Sequence, residues 1–157
     1  MLDFDILTTT RAWVATPWDY NSCIGLSFRT TGSGDMVFGY GQTIYAKINF
    51  RFSVNAPNEL ELIYQDSPAG EHFVQSFTPS ESQRSKTIQY SLKEGQVNGV
   101  AANSGAFRYY WTLSLDESPF PDELTLPHTL APGDLSPPRR YYGHNQNERA
   151  DRGGRPG

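Results

Sequence analysis

Residues 43–54 read Thr-Ile-Tyr-Ala-Lys-Ile-Asn-Phe-Arg-Phe-Ser-Val, and no other stretch constrains the fold as tightly. Ile44, Ala46, Ile48, Phe50, Phe52 and Val54 share one parity, while Tyr45, Lys47, Asn49, Arg51 and Ser53 share the other. Successive side chains of a strand point to opposite faces, so Thr43–Val54 is expected to be a half-buried β-strand with a polar outer face. A helix would scatter the same residues around its circumference.

The alternation recurs along the chain. Ile24, Leu26 and Phe28 oppose Cys23, Gly25, Ser27 and Arg29; Met36, Phe38 and Tyr40 form a further face. Leu60, Leu62 and Tyr64 oppose Glu59, Glu61 and Gln65, and Ile88, Tyr90 and Leu92 oppose Gln89, Ser91 and Lys93. Phe107, Tyr109, Trp111, Leu113 and Leu115 oppose Arg108, Tyr110, Thr112 and Ser114. A weaker strand is expected over Glu71–Thr78, and Arg11–Ala15, with Trp13, opens the sheet. No amphipathic helix of about ten or more residues is visible.

Turn residues separate these segments. Thr30–Asp35 and Asn55–Asn58 are short connections of the kind that join adjacent antiparallel strands. Short connections favour neighbouring pairing. The expected fold is all-β: an antiparallel up-and-down meander barrel of about eight strands, preferred because closure removes exposed edges. A two-sheet β-sandwich is the alternative. Residues 1–130 are expected to form the barrel domain. Residues 131–157, rich in Pro, Gly, Arg and Asn, are expected to be a disordered polar tail with Tyr141-Tyr142 as its apolar island.

Charge and cysteine usage narrow the function classes. Residues 1–130 carry eight basic against fourteen acidic residues, which argues against nucleic acid as a partner. The single Cys23 excludes an internal disulfide. No apolar run approaches the ~20 residues of a membrane-spanning helix, and Met1–Thr10 carries Asp3 and Asp5 in place of a basic leader, so a soluble, cytoplasmic protein without membrane partners is expected.

The strand rhythm from Trp13 to Leu126 resembles that of the lipocalin-like (calycin) small β-barrels. The Gly-x-Trp opening of lipocalins has no counterpart, because Trp18 sits in Thr16-Pro17-Trp18-Asp19. The resemblance implies a barrel with an apolar cavity and says nothing about the ligand.

The inner parity carries an aromatic set: Tyr40, Phe50, Tyr64, Tyr90, Tyr109 and Trp111. In a hollow barrel these residues would line a site for a small hydrophobic ligand, with phenol and indole groups as polar anchors. In a filled barrel they are core. Arg29, Arg51 and Arg108, with Tyr45 and Tyr110, lie on the outer parity and would bind a carboxylate or acidic partner if clustered. Glu71 and His72 are adjacent on a strand and point to opposite faces, so they do not converge on a metal or a catalytic role. Cys23 has no neighbouring base in sequence. Three functions follow: an internal apolar ligand, a solid-core protein-interaction or structural module, and, last, an enzyme. No cofactor or metal is expected.

Overall fold

The computed structural model describes residues 2–15, 22–40, 43–70, 75–98, 108–124 and 139–145. One helix, α1 (Leu2–Thr9), precedes eight strands: β1 (Thr10–Val14), β2 (Ser22–Phe28), β3 (Ser33–Tyr40), β4 (Thr43–Asn55), β5 (Glu59–Tyr64), β6 (Ser85–Asn98), β7 (Arg108–Leu115) and β8 (Arg140–Asn145). They pair antiparallel in chain order, and β8 returns to β1, closing an up-and-down barrel. The sandwich alternative would leave β1 and β8 with free edges, and is not adopted.

The 13-residue β4 is long enough to serve two neighbours. It pairs with β3 along Thr43–Arg51 and with β5 along Phe50–Asn55. Ala46, Ile48, Phe50 and Phe52 are buried, whereas Lys47, Arg51 and Ser53 are exposed. The β2–β3 turn forms where expected. Arg29 N–H donates to Ser33 O (2.8 Å) and Gly32 N–H to Arg29 O (3.0 Å). Gly32 has φ +86°, a conformation that costs an L side chain but not glycine.

The expected tail boundary needs correction. Residues 131–138 and 146–157 lie outside the described residues, but Arg140–Asn145 is the closing strand, and Tyr141 is fully buried. Six residues suffice because β7 and β1 supply a ladder on each side. The surrounding Pro and Gly diluted that signal. Gln75–Thr78 of the weaker strand forms two isolated bridges, Ala46↔Gln75 and Ser67↔Phe77; its first four residues lie outside the described set.

Helix α1, at eight residues, is too short for a helical period to stand out in its sequence. Asp3 and Asp5 sit in its first turn, where they favour the positive end of the helix dipole. At its other end, hydroxyls satisfy carbonyls: Thr8 donates to Phe4 O (2.9 Å), Thr9 to Asp5 O (2.6 Å) and Thr10 to Ile6 O (2.7 Å). Burial of Leu7 and stacking of Phe4 on Phe52, 5.6 Å between centroids, hold it to the barrel.

Up-and-down order places α1 at the same end as the β2–β3 and β4–β5 turns. The segment after β7 crosses the opposite end. There Phe120 is buried, edge-on to Phe38 at 5.7 Å. The Pro-Phe-Pro stretch folds over the barrel mouth, and Pro119 and Pro121 are buried with it.

Candidate functional site

Of the aromatic residues expected to line a ligand site, those whose side chains are described pack within the protein. Phe50 is fully buried, edge-on to Phe28 at 5.7 Å, and its ring lies against the backbone of Gly34. Tyr64 and Tyr90 are buried, and so is Tyr109. Trp111 is half-buried. Tyr40 ends β3, and its side chain lies outside the described set. Between these residues the interior holds Trp13, Met36, Ile48, Leu60, Leu62, Ile88, Leu113 and Tyr141, all essentially without exposure.

The two phenols that could orient a ligand instead tie down the end caps. Tyr64 Oη donates to Pro119 O at 2.5 Å. Tyr90 Oη donates to the Asp3 carboxylate at 2.6 Å, joining β6 to α1. Trp13 Nε1 donates to Leu7 O at 3.2 Å, a second tie on α1. Burial pushes the Tyr64 phenol well above its ordinary value, and the charges of Asp122 and Glu117 push it further. For Tyr90, burial leads, followed by the hydrogen bond to Asp3 and its charge. Both groups are neutral donors at physiological pH.

Lys86, which the strand pattern did not flag, completes the second cap. It lies on the same parity as Ile88 and Tyr90, and its side chain is 8% exposed. Its Nζ donates to Ser118 O (2.9 Å), Phe120 O (2.8 Å) and Asp122 Oδ1 (2.9 Å), with Glu117 at 3.5 Å. An ammonium needs such a set of acceptors when it leaves water. A lysine on an apolar parity was the available signal.

The outer arginines do not converge. Arg29 pairs with Asp35, and Arg51 reaches Thr31 O at 3.4 Å. Arg108 is on β7, with β5 and β6 between it and Arg51; its side chain lies outside the described set. Tyr45 is on β4 and Tyr110 on β7, equally far apart. His72, His128 and the side chain of His144 are likewise outside the described residues, as is Glu71. Cys23 is exposed on β2, and partial desolvation pushes its thiol up, away from thiolate chemistry.

The exterior carries an open cleft of about 260 Å³ beside the capped mouth, lined by Gln75, Ser76, Phe77, Thr78, Glu123 and Leu124. Its inner wall is an extended segment. Phe77 N–H donates to Ser67 O and Ser67 N–H to Phe77 O, both at 2.8 Å, while Gln75 N–H donates to Tyr45 O at 3.1 Å. Phe77 and Pro79 are buried, whereas Ser76 and Thr78 are exposed. Across the cleft, Glu123 Oε1 accepts from Ser80 N–H at 2.9 Å. The sequence places Gln75–Thr78 in the weaker expected strand, but alternation marks it only as a strand and does not mark its edge as a site.

The fold and its caps define a closed, eight-stranded antiparallel barrel. No protein-family model, curated protein or solved structure matches the chain. Among the described residues, no helix is long and apolar enough to cross a membrane.

Proposed function

We propose that this chain is a protein-interaction module: a barrel filled by its own side chains that meets its partners on its outer surface. One observation carries this reading. The inner hydroxyls of Tyr64 and Tyr90, the natural anchors for an internal ligand, are committed to the two caps that cover the barrel ends. The strand count and up-and-down order are what support a lipocalin-like kinship. The packed aromatic interior supports a mode of action different from ligand carriage in a cavity. An unpaired Cys23 fits a reducing compartment such as the cytoplasm.

The test is a thermal-melt panel of fatty acids, retinoids and planar aromatics, read together with tryptophan fluorescence. A compound that binds only the folded state at a hundred times its Kd adds ~2.7 kcal/mol. A surface-acting module shows no such stabilisation. A saturable rise in melting temperature, with quenching lost in Trp111→Phe, would establish an internal apolar ligand and overturn this reading.

A further inference from the structure

We propose that the edge Ser76–Thr78 is a docking site for an extended peptide, which adds as a strand and places a basic side chain against Glu123. This deepens the surface-acting reading and rests on it. In an antiparallel pair that exchanges both hydrogen bonds, the flanking residues turn their N–H and C=O groups the other way. Phe77 and Ser67 are such a pair. The backbone groups of Ser76 and Thr78 therefore face away from the barrel, and among the described residues they have no partner. Unpaired groups along an extended edge are a template for strand addition.

The row of outward donors continues to Ser80, where the position is already filled. Glu123 Oε1 accepts from Ser80 N–H at 2.9 Å, showing where an acceptor sits along this edge. A peptide carbonyl would occupy the equivalent place at Ser76 and Thr78, donors spaced ~6.8 Å apart, the two-residue repeat of a strand. Phe77 and half-buried Leu124 lie at the cleft beside Gln75, Ser76, Thr78 and Glu123, a mixed and mainly polar lining that admits an extended backbone with small or polar side chains. The second carboxylate oxygen of Glu123 has no partner among the described residues, whereas the neighbouring Asp122 is already paired with Lys86. Charge complementarity thus selects Lys or Arg at the next outward position of the peptide.

The probe is a short synthetic peptide alternating valine and lysine, titrated into the full chain and followed by backbone amide NMR. Shifts are expected at Ser76, Thr78, Ser80 and Leu124. Glu123→Gln keeps the acceptor for Ser80 but removes the charge, and should weaken binding about fivefold at low salt, the size of an exposed ion pair. Thr78→Pro removes a donor that has no partner among the described residues, at a position already held extended by Pro79, and should weaken binding more than about tenfold. The same peptide N-methylated along one edge should lose binding to the unaltered protein, a result that does not depend on any variant folding. Shifts mapping elsewhere on the barrel, affinity indifferent to Thr78→Pro and to N-methylation, or no saturable binding would overturn the proposal. Those outcomes leave the surface-acting reading in place, since that reading falls only to an internal apolar ligand.

Discussion

Gly143 on β8 lies directly beneath the indole of Trp13 on β1. The two residues are register partners, and a Cβ at position 143 would stand 2.8 Å from Trp13 Cζ3. Trp13 is fully buried, so its ring has no open direction in which to yield. Gly143→Ala is therefore expected to destabilise by ~1–3 kcal/mol through overpacking. Gly95→Ala, where an added Cβ meets nothing within 4 Å, is the matched control and should be close to neutral. Urea midpoints of the two variants check the contrast; equal midpoints would mean that the β1–β8 seam is looser than described.

Closure by β8 makes Tyr141 a core residue. Tyr141→Ala should cost ~3–5 kcal/mol, in the range of large aromatic truncations. Truncation after Leu130 deletes β8 and exposes the edges of β1 and β7, so cooperative melting should be lost. A truncated chain that melts like the full one would show that the barrel does not need this strand.

The cap over the second mouth hangs on Lys86 and Tyr64. Tyr64→Phe removes the donor to Pro119 O and should cost ~1 kcal/mol. Lys86→Met keeps the length of the stem but leaves Ser118 O and Phe120 O without their donor, and should cost ~1–3 kcal/mol. Amide exchange separates a cap effect from general destabilisation: opening should appear first at Phe120, whose N–H is held by Ser118 Oγ at 3.1 Å.

Stability should fall at alkaline pH. Tyr64, Tyr90, Tyr109 and Tyr141 all have phenols raised above the ordinary value near 10, with burial as the leading cause in each. The folded state favours the neutral phenol. Its contribution is complete below the unfolded value and is lost as pH climbs from about 10 toward the raised folded values. Denaturant midpoints should decline above about pH 10, and the decline should be shallower in Tyr141→Phe. An unchanged slope in that variant would assign the alkaline loss to other groups.

Much of the barrel was legible in its sequence, because strands buried on one face write their burial as alternation. The contrast between Phe50 and Arg51 survives unaltered: the first has no exposure and the second is exposed. Phe50→Ala should cost ~3–5 kcal/mol and Arg51→Ala within ~0.5 kcal/mol. What was hidden depends on tertiary partners. Tyr141 and Gly143 acquire meaning only beside Trp13 and β7. Leu2–Thr9 is a helix because Leu7 and Phe4 find the barrel end, and Lys86 is tolerated inside because Ser118 and Phe120 turn their carbonyls to it. The inner aromatics could be located but not interpreted, since a tyrosine that holds a cap and a tyrosine that greets a ligand look alike in sequence. The edge at Ser76 and Thr78 is a property of backbone groups, which side-chain patterning does not report.

The most direct test of a filled interior uses an atom small enough to enter any apolar void. Xenon occupies dry cavities lined by Leu, Ile and Phe. Methyl NMR of Met36, Ile48, Leu60, Leu62, Ile88 and Leu113 under xenon pressure reports on the center of the barrel. A solid interior predicts that these methyls show no saturable shift, while surface methyls drift weakly and linearly with pressure. Saturating shifts that converge on the methyls of these six core residues would reveal a cavity and contradict the solid-barrel account.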